Sequence, residues 1–386
     1  MAYKEMIMKI GIICHPSIGG SGLVATQLGI GLADKGHEVH FISRAIPFKL
    51  SKEHKNIFFH LVEPINYPLF DNSLYTFALT SRIVEVAEKY KIDIMHAHYS
   101  IPHSLCCYLA HEIADHDFCT VTTIHGTDTK VVGQDRPLYP LNKFSLYKSD
   151  TITTVSTYQK NHTQTEFNLN KKIEVIYNFI DKNAFTPESA SIEIRRTMAK
   201  DNEKIIMHIS NFREPKNTNG VIKAFAKTVG RVEARLVLIG DGPKMDEIKS
   251  LCKDLDIFEK VTFMGKINHI EKIIPNADCI LQPSYAESFG MVSLEAMSCE
   301  IPTVASNVDG IPEVVVHDET GYMANPDDHD SMANYLVEIC TNDKLRERLG
   351  KNSRKRVSDC FSMDMQVDAY IKCYENTIKE KIENDK

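Results

Sequence analysis

Short apolar runs alternate with stretches of helical period along most of this chain. Residues 9–15, Lys-Ile-Gly-Ile-Ile-Cys-His, read as a strand, residues 23–35 repeat apolar positions at helical spacing up to Gly36, and residues 38–43 read as a second strand. A β-α-β opening of this kind predicts a parallel sheet. Further strands are predicted at 58–62, 93–97, 120–124 and 151–155, with helical patterns between several of them, such as 74–90, which together describe a doubly wound domain. A second alternation starts near Lys204: strand 205–209, helix 220–229, strand 235–239, then Gly240-Asp241-Gly242-Pro243 leading into another helix, and strands at 261–264, 278–282 and 303–305. The pattern therefore predicts two α/β halves, residues 1–180 and 181–362, joined near 178–186 where periodicity weakens and Pro187 interrupts. From Met363 onward the chain reads as an amphipathic helix with Val367, Tyr370, Ile371 and Tyr374 on one face.

Composition narrows the class. A chain of 386 residues is long for one core, and 43% apolar with 25% charged residues is ordinary for a globular protein. No stretch approaches the 18 uninterrupted apolar residues of a membrane span. The first residues, Met-Ala-Tyr-Lys-Glu, run into the first strand without a cleavage-type site, so a cytoplasmic location is expected. Ten scattered cysteines with no C-x-x-C pair predict buried, reduced thiols and no zinc cluster. A net charge of −7 argues against a general nucleic-acid or anionic-membrane surface.

The candidate chemistry lies where strands run into turns. Glu287-Ser288-Phe289-Gly290 follows an apolar run, 279–282, and opens a helical segment, an arrangement that aims backbone N–H groups at an anion. Glu287 and Glu295 stand eight residues apart, so on one helix flank they could hold two separate hydroxyl groups of an extended ligand; a helix-start acid and an unrelated solvated acid is the plainer alternative. Arg213 and Lys216 lie in a turn between a strand and a helix, where cations would stabilise charge on a leaving phosphate. His125-Gly126-Thr127-Asp128 follows another strand at the edge where doubly wound sheets bind ligands, or forms a capped turn with a partnered histidine. Gly20-Ser21-Gly22-Leu23-Val24-Ala25 fits the dinucleotide fingerprint G-x-G-x-x-A, but four residues separate it from the strand and the second strand ends in Ser43-Arg44 without a ribose-binding acid. The acidic runs 115–117 and 327–330 lie in polar connections and are expected to be solvated.

The wording ESFGMVSLEAMSCEIPTV, followed by GIPEVV, resembles the E-x7-E signature of glycosyltransferase family 4, retaining enzymes of the GT-B fold. That resemblance implies two Rossmann-like doubly wound domains facing across a cleft that holds the active site, with an N-terminal acceptor domain, a C-terminal nucleotide-sugar domain and a tail from about 363 that returns to the first. It implies catalytic roles for His125, Arg213, Lys216 and Glu287. The donor set it implies is Gly19, Gly20, Asn211, Arg213, Lys216, Gly265, Lys266, Glu287, Ser288, Phe289, Gly290, Met291, Val292 and Glu295. Asn217 stands where glycine often follows the lysine. HAHYSIPH (96–103), VIYNFID (175–181), HISNFR (208–213) and SIGGSG (17–22) are similar to one subgroup, which transfers N-acetylglucosamine from UDP-GlcNAc to L-malate as the first step of bacillithiol biosynthesis. The acceptor residues expected for malate are Ser17, Lys49, Tyr99, Thr127 and Lys143. No cofactor and no metal are expected, since the fold needs no D-x-D motif, and no nucleic-acid partner or membrane insertion either; a homo-oligomer stays open. Another acceptor, a UDP-GlcNAc 2-epimerase and a non-catalytic UDP-sugar-binding protein are the competing readings.

Overall fold

The computed structural model describes residues 6–16, 20–50, 54–65, 74–130 and 135–384 and divides into two compact units, 1–178 with 363–386, and 179–362. The first unit carries a seven-stranded sheet among its described residues: β1 Lys9–Ile13, β2 Glu38–Ser43, β3 Ile57–Leu61, β4 Ile94–His98, β5 Cys119–Ile124, β6 Thr151–Thr154 and β7 Ile173–Val175, in the order β3-β2-β1-β4-β5-β6-β7. Every adjacent pair is parallel. Parallel strands need crossovers and are covered on both faces, which is why β1, β4 and β5 are almost wholly buried. Ile13, Ile42, Met95 and Leu79 lie in one core cluster and Ile124, Leu146 and Ile152 in another.

The second unit repeats the plan with β8 Lys204–Ile209, β9 Ala234–Ile239, β10 Val261–Gly265, β11 Cys279–Gln282, β12 Thr303–Ser306 and β13 Gly321–Ala324, in the order β10-β9-β8-β11-β12-β13. Its core gathers Ile206, Phe225, Leu236, Leu281 and Leu336.

At Met363 the chain returns to the first unit as the helix Met363–Asn384, which packs on the helix Ser21–Asp34 and on β5. The buried face comprises Gln366, Val367, Tyr370, Cys373, Tyr374 and Thr377; Ile371, expected on it, is only half-buried. Gly31 makes this packing possible, because a Cβ there would lie 2.6 Å from a Val367 methyl. Nine of the ten cysteines are buried and Cys360 is partly so; all are free thiols.

Candidate active site

Right-handed crossovers that run left from one strand and right from its neighbour place their helices on opposite faces of a sheet, leaving a crevice at the carboxyl ends of that strand pair. In the second unit this pair is β8 and β11, and the loops that follow them are tied together. Pro215 O accepts from the N–H groups of Tyr285 (2.9 Å) and Ala286 (3.4 Å), while Asn217 Nδ2 donates to Pro283 O (3.0 Å) and Pro326 O (3.1 Å). Asn217 is left-handed (φ 48°, ψ 50°), and its Oδ1 caps the helix Thr218–Thr228 by accepting from Gly220 N–H. Asparagine tolerates this conformation better than other residues with a side chain, and it supplies a cap as well. The loop therefore keeps its path without the glycine that the family resemblance would place there.

This closure sets Lys216 Nζ 2.5 Å from Glu287 Oε2; Gln282 Nε2 donates to the same oxygen at 3.3 Å, and Ser293 Oγ donates to Gln282 Oε1 at 2.5 Å. Glu287 is fixed by its backbone too, its N–H donating to Asp309 Oδ2 (2.9 Å) and its carbonyl accepting from Gly310 N–H (3.0 Å). Both charged groups keep some exposure, so the pair's value lies more in position than in stability. The helix Met291–Ser298 starts after Gly290, and its first intrahelical bond is Leu294 N–H to Gly290 O. The N–H groups of Met291, Val292 and Ser293 precede that bond and have no partner within the helix. Glu295, almost wholly buried, belongs to this helix, whereas Glu287 lies in the turn before it. The expectation that both carboxylates share one helix flank is thus corrected: two different elements hold them. Phe289 buries its ring against Phe361, 5.6 Å between centroids.

Arg213 is exposed and precedes the turn Glu214–Lys216; it lines a recess of about 100 Å³ together with Thr218, Lys223, Lys244 and His329, among whose lining residues Lys216 and Glu287 are absent. Asn211 is exposed on the same loop. Gly240 (φ 121°) lets that loop pass over β9, since a Cβ there would lie 1.8 Å from Ser210 O. Its N–H donates to Gly265 O (2.8 Å), and Lys266 extends beside Asp241 (3.6 Å). His208, not singled out by sequence, joins the two central strands: Nδ1 donates to Leu281 O (2.8 Å), leaving Nε2 to accept from Ser210 Oγ (2.9 Å). Burial pushes its pKa down to about 4.

In the first unit the corresponding strand pair is β1 and β4. Ser17 and Gly19 lie outside the described residues; Gly20 precedes the helix Ser21–Asp34 and its carbonyl accepts from Val24 N–H. Tyr99, left-handed at φ 87°, receives a hydrogen bond on its hydroxyl from Ser21 Oγ (2.6 Å), and the Thr127 side chain lies beside that hydroxyl. His125 Nε2 lies 2.9 Å from His98 Nδ1, so one ring nitrogen of the pair donates and the other accepts. Burial holds the pKa of His125 down at about 3, making it a neutral hydrogen-bonding group near pH 7. Asp128 is buried and accepts from Gly126 N–H (2.9 Å); burial raises its carboxyl to about 6. Lys143 is half-buried on the helix Tyr139–Lys148, next to Asn142, which donates to Asp128 O (2.6 Å). Lys49 is exposed in the connection after β2 with its ammonium 5.9 Å from the Phe48 ring centroid. Beneath these groups, His96 bonds Tyr374 (2.8 Å) and Thr123 (2.7 Å).

Residues 18–184 match Glycosyltransferase Family 4 and residues 191–356 match Glycosyl transferases group 1. An N-acetyl-alpha-D-glucosaminyl L-malate synthase of Bacillus anthracis is 40% identical over 97% of this chain and 98% of its own length. The chain belongs to glycosyltransferase family 4. An uncharacterized glycosyltransferase of Methanocaldococcus jannaschii is 28% identical over 92% of this chain and 95% of its own. Among solved structures, sucrose-phosphate synthase of Thermosynechococcus elongatus (TM-score 0.82, 21% identity, 97% and 100% covered) and Anabaena Alr3699/HepE in complex with UDP and glucose (0.78, 20%, 95% and 99%) share the fold. This family 4 transferase therefore has the GT-B architecture of two Rossmann-like units.

The acidic runs lie at the surface as expected, with Asp115, Asp117, Asp327, Asp328 and Asp330 exposed. They also make local contacts there: Asp328 caps the helix His329–Thr341, Asp327 accepts from Tyr285 Oη (2.8 Å) and Asp330 pairs with Lys227 (2.6 Å). Asp117 likewise pairs with Lys381 (2.5 Å) and His111 (2.9 Å). No helix among the described residues is long and apolar enough to cross a membrane.

Proposed function

We propose that this enzyme transfers N-acetylglucosamine from UDP-GlcNAc to the hydroxyl of L-malate with retention at the anomeric carbon, releasing UDP, as the opening step of bacillithiol biosynthesis in the cytoplasm. The observation that carries this reading is the near full-length identity with the Bacillus anthracis synthase. The bond from the anomeric carbon to phosphate oxygen breaks, the bond to the malate hydroxyl forms on the same face, and the malate proton passes to an oxygen of the departing phosphate. Such a step needs positioning and charge stabilisation more than a protein nucleophile, so no metal is assigned to it. Lys216 and Arg213 compensate charge on the diphosphate, and the N–H groups at the start of helix Met291–Ser298 support the phosphates. Glu287 takes sugar hydroxyls and Glu295 those of the ribose, while Gly265 and Lys266 lie toward the nucleotide. His125 bonds to the sugar as a neutral ring. Malate falls to Tyr99 and Thr127, whose side chains lie side by side, with Ser17, Lys49 and Lys143 contributing to its two carboxylates.

UDP release measured with UDP-GlcNAc alone, with L-malate and with lactate tests the assignment. Release is expected with malate, and lactate should be poorer by up to about 10⁴-fold, because in the bound complex it leaves the donors for the second carboxylate unpaired. Release without an acceptor, or equal kcat/KM for the two acids, contradicts it.

A further inference from the structure

Three helices aim their amino ends at the recess beside Arg213. Thr218 opens helix Thr218–Thr228, Lys244 immediately precedes helix Met245–Asp254, and His329 opens helix His329–Thr341; all three residues line the recess. The convergence follows from topology, because these helices follow β8, β9 and β13, which run the same way, and the first packs against the other two. Each helix start carries roughly half a positive charge, so the recess is electropositive before any side chain is counted. Arg213 and Lys223 add two cations that make no ion pair among the described residues. Lys244 is already met by Glu214 (2.7 Å) and Glu247 (2.9 Å).

A second observation points to an occupant. Thr218 is 3% exposed, it lines the recess, and its Oγ1 has no hydrogen-bond partner among the described residues. Leaving a buried hydroxyl unpaired is unfavourable, and an anion oxygen would relieve it. The N–H groups of Thr218 and Asn219 precede the first bond of their helix, Val221 N–H to Asn217 O, and add donors at the same place. Asn219 Oδ1 is also buried without a partner, so the occupant that satisfies every group offers several acceptor oxygens and one proton. Hydrogen phosphate has that character, and a recess of about 100 Å³ has room for one phosphoryl group. His329 feels the same field: burial and then Lys223 hold its pKa below the usual value.

We propose that this recess is a phosphate site, for free phosphate or the phosphoryl group of a small monoester, separate from the Lys216–Glu287 pair. The inference stands on the recess and not on the substrate assignment. One consequence does rest on that assignment: an occupant would keep Arg213 from the donor diphosphate, so phosphate should inhibit transfer.

Calorimetric titration of the full chain with inorganic phosphate, and in parallel with glycerol 3-phosphate, in the absence of UDP tests it. One phosphate site is expected in the parent and in Lys216→Gln, weakened about ten-fold or more in Lys223→Gln and in Thr218→Val. Lys223 is exposed, so its replacement leaves the core intact, and UDP affinity should not change. Binding of glycerol 3-phosphate as tight as that of phosphate assigns a monoester, and binding of phosphate alone assigns the free ion. Absence of saturable binding by either, or binding lost in Lys216→Gln and kept in Lys223→Gln, overturns the site. If phosphate binds as expected yet transfer is not inhibited, the site stands and the donor role of Arg213 falls.

Discussion

At the scale of single residues, what matters is where charge is held. Lys216 is the cation that the structure joins to Glu287, so Lys216→Ala should lower kcat by about 10²-fold or more, because charge on the leaving diphosphate loses its partner. Steady-state kinetics with malate checks this, and near-normal turnover would remove the assignment. Glu287 and Glu295 sit on different elements and should separate in experiment: Glu295→Gln weakens UDP binding by calorimetry, whereas Glu287→Gln mainly lowers turnover. Equal loss of UDP affinity in both would contradict separate roles. Residue types at the ends of strands were legible because the chemistry of a diphosphate demands them. The side-chain directions were not, since an exposed arginine such as Arg213 is placed by the cavity beside it, and a cavity is built from residues far apart in sequence.

At the scale of elements, the two sheets follow from runs of β-branched and apolar residues, and most boundaries move by one or two positions. The exceptions have physical reasons. β7 has three residues, too few to stand out, and β13 reads Gly-Tyr-Met-Ala, without a β-branched side chain. The helix Thr157–Phe167 is mostly polar, so periodicity does not announce it. The helix Met363–Asn384 is legible as amphipathic, but its fit onto Gly31 is a tertiary fact. Gly31→Ala should destabilise the protein by about 1–3 kcal/mol through overpacking against Val367, and Val367→Ala in the same chain should recover part of it. Chemical denaturation measures both; additive losses would mean that the two residues do not meet. Tyr374→Phe leaves a buried His96 nitrogen without its partner and should cost about 1–3 kcal/mol by the same measurement.

At the scale of the whole molecule, a set of buried or half-buried histidines predicts how stability depends on pH. Burial lowers the pKa values of His96, His103 and His125 to about 3 and those of His60 and His208 to about 4, with His98 also well below the usual value. Between pH 6.5 and these values the unfolded chain binds protons that the native chain does not, so stability falls as pH falls through that window, by about 1.4 kcal/mol per pH unit for each such group. Asp128, raised to about 6, opposes this between its ordinary 3.8 and 6, one group against several. Thermal melts at pH 7.5 and 5.0 should show the lower Tm at pH 5.0, and an unchanged or higher Tm would contradict the histidine environments. The two-unit plan was legible from two successive β-α alternations, and the family from the long wording around Glu287. The acceptor is the least legible part, because Tyr99 and Thr127 come together only through folding. The most direct measurement is proton NMR of the products formed from UDP-GlcNAc and L-malate. An α-configured anomeric proton is expected on an N-acetylglucosamine joined to the malate hydroxyl, with one UDP released per product. Unchanged malate beside consumed UDP-GlcNAc, or a β-linked product, would contradict it.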